Sequence, residues 1–83
     1  MYYVYAVYNK KHGKFYIGQT DNLEVRLRLH NKKEFVNSYT ARFDGEWTLI
    51  YTEQVSDRKE ALRREKQLKS YRGREFIKSH IPL

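Results

Sequence analysis

Apolar and polar positions follow two different periods along the chain, and each period predicts an element. Tyr2–Tyr8 is β-branched and aromatic on both alternating faces, which predicts a central strand. Lys10-Lys11-His12-Gly13-Lys14 predicts a turn, with Gly13 able to take positive φ, and Phe15–Gly18 predicts the returning strand of an antiparallel hairpin. Thr20 or Asp21 is placed to cap a helix that runs to about Asn31. Lys32–Gly45 is polar, carries turn signals at Asn37-Ser38 and Asp44-Gly45, and predicts a loop. Trp47–Val55 alternates Trp47, Leu49 and Tyr51 against Thr48, Ile50 and Thr52, a third strand. Ser56 or Asp57 caps a second helix to about Ser70, with Asp57 and Glu60 spaced as a variant of the capping box. Gly73 is expected to break that helix, leaving Arg74–Ser79 for a short last one before Pro82.

The order β-β-α-β-α-(α) predicts an α+β fold: a three-stranded antiparallel sheet flanked by helices that cover its apolar surface. A chain of 83 residues is expected to form one domain over 1–83, and so short a chain needs a dense core. Eight Tyr, four Phe and one Trp supply that density, and each Tyr keeps a polar end that can point into a site.

Composition narrows the function. There are no cysteines, which excludes disulfides, thiolate zinc sites and a cysteine nucleophile. No apolar run is long enough to span a bilayer and the first residues lack the charged start of a signal peptide, so a cytoplasmic location is expected. Charge is unevenly spread. Residues 1–57 hold eight Lys and Arg against seven Asp and Glu, whereas residues 58–83 hold nine against three. Nearly all of the net +7 therefore falls on one short stretch, the footprint of a polyanion binder.

Three groups of side chains stand out against this frame. At 100° per residue, Ala61, Leu62, Glu65 and Leu68 fall on one side of the second helix, so a carboxylate lies inside an apolar stripe. An inward charge is costly unless it is compensated, and two compensations are open: a salt bridge to Arg or a divalent metal. Taken alone, the helix favours the salt bridge. On the first helix Leu23, Arg26, Leu27 and His30 share one arc, with Arg26 and His30 stacked a turn apart. An Arg beside a His near an inward carboxylate has the makings of a phosphate-and-proton site. Tyr3 and Tyr5 share a strand face, and Tyr16 lies on the neighbouring strand as a candidate cross-strand neighbour of Tyr5.

Together, the hairpin ending in Tyr16-Ile17-Gly18, the stretch Asn22–His30 and the stretch Glu60–Leu68 resemble the GIY-YIG nuclease superfamily over nearly the whole chain. The similarity is to its small stand-alone bacterial members, the YhbQ-like or URI-like group. The resemblance implies that Tyr5, Tyr16, Arg26, His30 and Glu65 form a catalytic set, with Glu65 as the ligand of a single Mg²⁺ or Mn²⁺ ion. It implies a DNA endonuclease acting on single-stranded or branched repair intermediates, with RNA not excluded and a monomer assumed. Tyr3 stands where the first motif opens on glycine, and Gln19 where some relatives carry a lysine. Arg58, Arg63, Arg64, Lys69 and Arg72 are expected to track the nucleic-acid backbone. The alternative is a non-catalytic nucleic-acid-binding module on the same fold. An RNA-recognition sheet fits the tyrosines, but Lys14-Phe-Tyr-Ile-Gly does not match its signature. A membrane-surface helix lacks the large apolar wedge it would need.

Overall fold

The computed structural model describes residues 1–32 and 42–82. Most of the expected loop between Lys32 and Gly45, including its Asn37-Ser38 turn signal, lies outside the described residues.

The elements are β1 (Tyr2–Asn9), β2 (Lys14–Thr20), α1 (Leu23–Asn31), β3 (Trp47–Val55), α2 (Arg58–Leu68) and α3 (Tyr71–Lys78). The strands form one antiparallel sheet in the order β2-β1-β3. β1 takes the centre because both of its faces are apolar. Val4 and Ala6 point to one side and Tyr5 and Val7 to the other, and all four are buried. The first side packs Ile17 against Ala61 and Leu68 of α2 and Ile77 of α3. On the second side, Tyr5, Val7 and Trp47 gather Leu23 and Leu27 of α1. The sheet is thus covered on both faces, one by α1 and the other by α2 and α3.

The alternation expected for β3 fails in its middle. Val7 pairs with Leu49 and Ala6 with Tyr51, so Ile50 is an extra residue in a β-bulge. Trp47 and Leu49 therefore stay on the α1 side, while Ile50 and Tyr51 pack with the α2 side. One inserted residue has moved Tyr51 to the opposite face.

Helix ends also differ from expectation, each for a local reason. Asn22, not Thr20 or Asp21, caps α1: its Oδ1 accepts the Val25 N–H at 3.1 Å. Thr20 remains in β2 opposite Tyr3, and its hydroxyl accepts the Asn22 N–H. Asp57 caps α2 through the Glu60 N–H at 2.9 Å. α2 stops at Leu68 because Ser70 caps α3, accepting the Gly73 N–H. Gly73 accordingly lies within α3 rather than ending a helix.

Two contacts outside the helices fix what surrounds the site. The Asn31 amide bonds both ways to the Trp47 backbone, donating to its carbonyl at 3.1 Å and accepting its N–H at 2.7 Å. This ties the end of α1 to the start of β3. At the hairpin tip, Lys11 and His12 both bind the Asp44 carboxylate, holding its pKa down to about 2.

Candidate active site

The hairpin register decides how the two tyrosines meet. Tyr5 pairs with Gly18, and Tyr16 pairs with Val7. The tyrosines are therefore diagonal rather than directly opposed, and their ring centroids lie 6.4 Å apart. Gly18 is the floor of this pair. A Cβ added there would lie 2.8 Å from the Tyr5 hydroxyl oxygen and 2.9 Å from Tyr16 Cε2. Gly18→Ala is expected to push both rings from their positions, costing about 1–3 kcal/mol of stability by overpacking. Urea denaturation measures that cost, and an alanine variant as stable as the parent would remove the glycine from this role.

His30 comes to the same place from α1. It is 3% exposed, and its Nε2 shares a 2.7 Å hydrogen bond with the hydroxyl of Tyr5, which is 2% exposed. Its ring lies 5.2 Å from that of Tyr16, so three rings converge from two strands and a helix. The Asn31–Trp47 clamp, one residue on, fixes the end of α1 that carries it.

Burial pushes the Tyr5 phenol well above its usual pKa, and the nearby Tyr16 and Glu65 push the same way while Arg26 opposes them. Tyr5, Tyr16 and His30 thus meet directly, brought together from β1, β2 and α1. Arg26 and Glu65 reach this group through their charges on the Tyr5 hydroxyl.

Glu65 is half-buried, and its carboxylate accepts a hydrogen bond from Lys69 Nζ at 2.8 Å. The compensating cation is therefore a lysine four residues along the same helix, not an arginine. Lys69 also lies over the Tyr16 ring, 5.9 Å from its centroid. Leu62, expected inside the apolar stripe, is 46% exposed; α2 turns Ala61, Glu65 and Leu68 inward instead.

The remaining basic residues separate. Arg58 lines a polar hollow with Arg26, Tyr2, Gln19, Thr20 and Asp21. Arg63 is paired to Glu60 at 2.8 Å on the exposed side of α2. Arg64 is held at 2.8 Å by Glu53 of β3, the edge strand farthest from Tyr16, so it braces α2 against the sheet. Arg72 is exposed on α3. Arg74 did not stand out in the sequence, yet its guanidinium lies over Phe15 at 5.4 Å beside Lys69 and Tyr16. The only sequence signal for it was its membership of the basic block.

Among the described residues no three His, Asp or Glu side chains group as metal ligands. The inward acidic donor here is the single Glu65 carboxylate. One oxygen donor group fits a hard ion that keeps most of its waters and does not fit a caged zinc.

The profile of the GIY-YIG catalytic domain matches residues 1–77, and the chain belongs to that nuclease family. It is 32% identical over 77 residues to UPF0213 protein SH2523 of Staphylococcus haemolyticus (strain JCSC1435), spanning 93% of this chain and 90% of that protein. The solution NMR structure of UPF0213 protein BH0048 from Bacillus halodurans has a TM-score of 0.54 at 29% identity, over 95% of this chain and 84% of that one. No helix among the described residues is long and apolar enough to cross a membrane.

Proposed function

We propose that this chain is a metal-dependent endonuclease that hydrolyses phosphodiester bonds in DNA, single-stranded or branched at the point of cleavage. The observation that carries this reading is the convergence of the Tyr5, Tyr16 and His30 rings, with Glu65 joined to Tyr16 through Lys69. Family membership supports the nuclease class; substrate and metal belong to the proposal.

Phosphodiester hydrolysis needs an in-line water, neutralised phosphoryl oxygens and a protonated leaving group. Arg26 binds the scissile phosphate through its guanidinium fork, which a lysine does not reproduce. Glu65 is the residue that would hold a single Mg²⁺ or Mn²⁺, which would supply neutralisation of phosphate charge and acidification of water. Lys69, bonded to the Glu65 carboxylate and lying over the Tyr16 ring, adds a positive charge beside the phosphate. Tyr16, half-exposed beside Lys69, orients the attacking water through its hydroxyl, and that water's proton leaves to solvent. Tyr5 is buried with a raised pKa, keeps its proton, and positions His30 by their shared hydrogen bond.

This division of labour separates two variants. Tyr16→Phe is expected to lose about 10²–10⁴-fold in cleavage while keeping its fold. Tyr5→Phe acts through stability as well, and the sign depends on pH. The folded phenol stays protonated where the unfolded one, with its ordinary pKa of 10.0, ionises. Its contribution is full below pH 10 and falls away as pH rises past that value. Denaturation midpoints from neutral pH upward should fall less on the alkaline side in Tyr5→Phe than in the parent. Equal alkaline slopes would show that Tyr5 is not held as the neutral phenol.

Incubating the protein with single- and double-stranded DNA and RNA, in Mg²⁺, Mn²⁺ or EDTA, tests the function itself. Cleavage of DNA in the metal lanes alone is the expected result. Binding without cleavage in any lane would instead make the chain a non-catalytic nucleic-acid module.

A further inference from the structure

The β2 edge of the sheet carries two hollows, one on each side of the proposed catalytic centre. Near the start of β2, Phe15, Tyr16, Ile17, Lys69 and Arg74 enclose about 220 Å³. Near its end lies a hollow of about 210 Å³ that contains Gln19, Arg26 and Arg58. Tyr16 belongs to the first hollow and Arg26 to the second, so the centre lies between them. α2 runs alongside with Arg58 at one end and Lys69 just beyond the other, a separation of about 16 Å along the helix. Cations therefore mark both hollows.

The hollows differ in chemistry. The second is lined mostly by polar residues, with Arg26 and Arg58 outnumbering the single acid, Asp21. It suits a phosphate and sugar rather than a base. The first wraps the edge strand β2, with Phe15, Ile17 and Arg74 on the α2–α3 side of the sheet and Tyr16 with Lys69 on the other. Arg74 already stacks over Phe15, and Lys69 over Tyr16. An aromatic edge with a guanidinium plane on one side and an ammonium on the other offers a nucleobase a stacking surface and its phosphate a cation.

Resting on the nuclease reading above, we propose that the Phe15–Arg74 hollow holds one unpaired nucleobase adjacent to the scissile phosphate, with the neighbouring phosphate on Lys69. The strand then runs along the β2 edge, from this base-holding hollow across the centre to the Arg26–Arg58 hollow. A base seated there cannot also be paired within a duplex. The substrate is thereby narrowed to strands unpaired on one defined side of the cut, such as single strands and flaps.

Photocrosslinking in EDTA tests the seat without requiring cleavage. A set of single-stranded oligonucleotides, each with 5-iodouracil at one position, is irradiated with the wild-type protein and mapped by mass spectrometry. The expected crosslink falls on the peptide Phe15–Arg26, at Phe15 or Tyr16, and disappears when the same base is paired in a duplex. Arg74→Ala, which alters an exposed side chain, should weaken single-strand binding about 5- to 150-fold by fluorescence anisotropy. Its effect on perfect duplex should be much smaller. Crosslinks that survive in duplex, fall elsewhere on the chain, or fail to form would overturn the proposal, as would equal losses for single strand and duplex. Cleavage in Mg²⁺ without this crosslink would sink the base seat alone. The crosslink without cleavage in any metal would leave the seat standing and remove the endonuclease.

Discussion

Glu65→Gln is expected to lower metal-dependent cleavage by about a thousandfold or more while leaving the fold and oligonucleotide affinity close to those of the parent. The size follows from the several kcal/mol of transition-state charge stabilisation that a bound divalent ion supplies. Sparing of the fold follows from what Glu65 does in this structure. Among the described residues its ion pair is with Lys69, whose side chain is 46% exposed, and such pairs contribute only about 0–1 kcal/mol. Glutamine has the same shape and can still accept from Lys69, so α2 keeps its packing through Ala61 and Leu68. Binding should hold or improve slightly, since a negative charge beside the phosphate path is gone. Single-turnover cleavage in Mg²⁺, with a thermal melt and an anisotropy titration of the same sample, reads all three quantities. A variant that melts with the parent and still cleaves would remove Glu65 from the reaction. If the variant unfolded and the parent cleaved equally in EDTA, Glu65 would be a structural ion-pair residue.

The route to Glu65 shows how much was legible in the sequence. Helical arithmetic placed the carboxylate inward from spacing alone, and it did the same for Arg26 and His30. Such angles depend only on the helix period, so they survive ignorance of the tertiary structure. The partner of Glu65 was less visible. An arginine was expected, yet the nearest suitable cation was Lys69, an i,i+4 neighbour that the helix period also places on the same side. The bulge at Ile50 left no trace, because Trp47, Leu49 and Tyr51 alternate as a regular strand would. Only the pairing of Val7 with Leu49 and Ala6 with Tyr51 reveals it. Register is likewise a property of two strands, and it makes Gly18, not Tyr16, the partner of Tyr5. The two hollows were not legible at all. They depend on where α2 and α3 lie beside the sheet edge, and no local pattern encodes that placement.

Gly73 shows the limit of local reasoning most sharply, and its substitution carries the largest expected loss of stability. In an isolated helix alanine is favoured over glycine by about 1 kcal/mol, so local propensity predicts that Gly73→Ala stabilises α3. The packing reverses the sign. A Cβ at Gly73 would lie 2.3 Å from the Gln67 carbonyl oxygen, 2.4 Å from Leu68 Cα and 2.6 Å from the Leu68 carbonyl carbon. All three are backbone atoms at the end of α2, so no rotamer change relieves the contact, and α3 must swing away from α2. The swing would draw the fully buried Ile77 from the core and loosen Phe76 from its edge contact with Tyr51 at 5.3 Å. Overpacking costs typically 1–3 kcal/mol, and a clash confined to backbone belongs at or beyond the upper end, about 3 kcal/mol. For a chain of this length each kcal/mol lowers Tm by about 4–8 °C, so a fall of about 12 °C or more is expected. Tyr71→Ala, at a side chain 80% exposed in the same helix, should stay within about 0.5 kcal/mol and serves as the reference. Cleavage by Gly73→Ala should fall along with stability, since the strained backbone lies two to three residues beyond Glu65 and α3 also carries Arg74. An unchanged or raised Tm would mean that α3 does not rest on the end of α2 through this glycine.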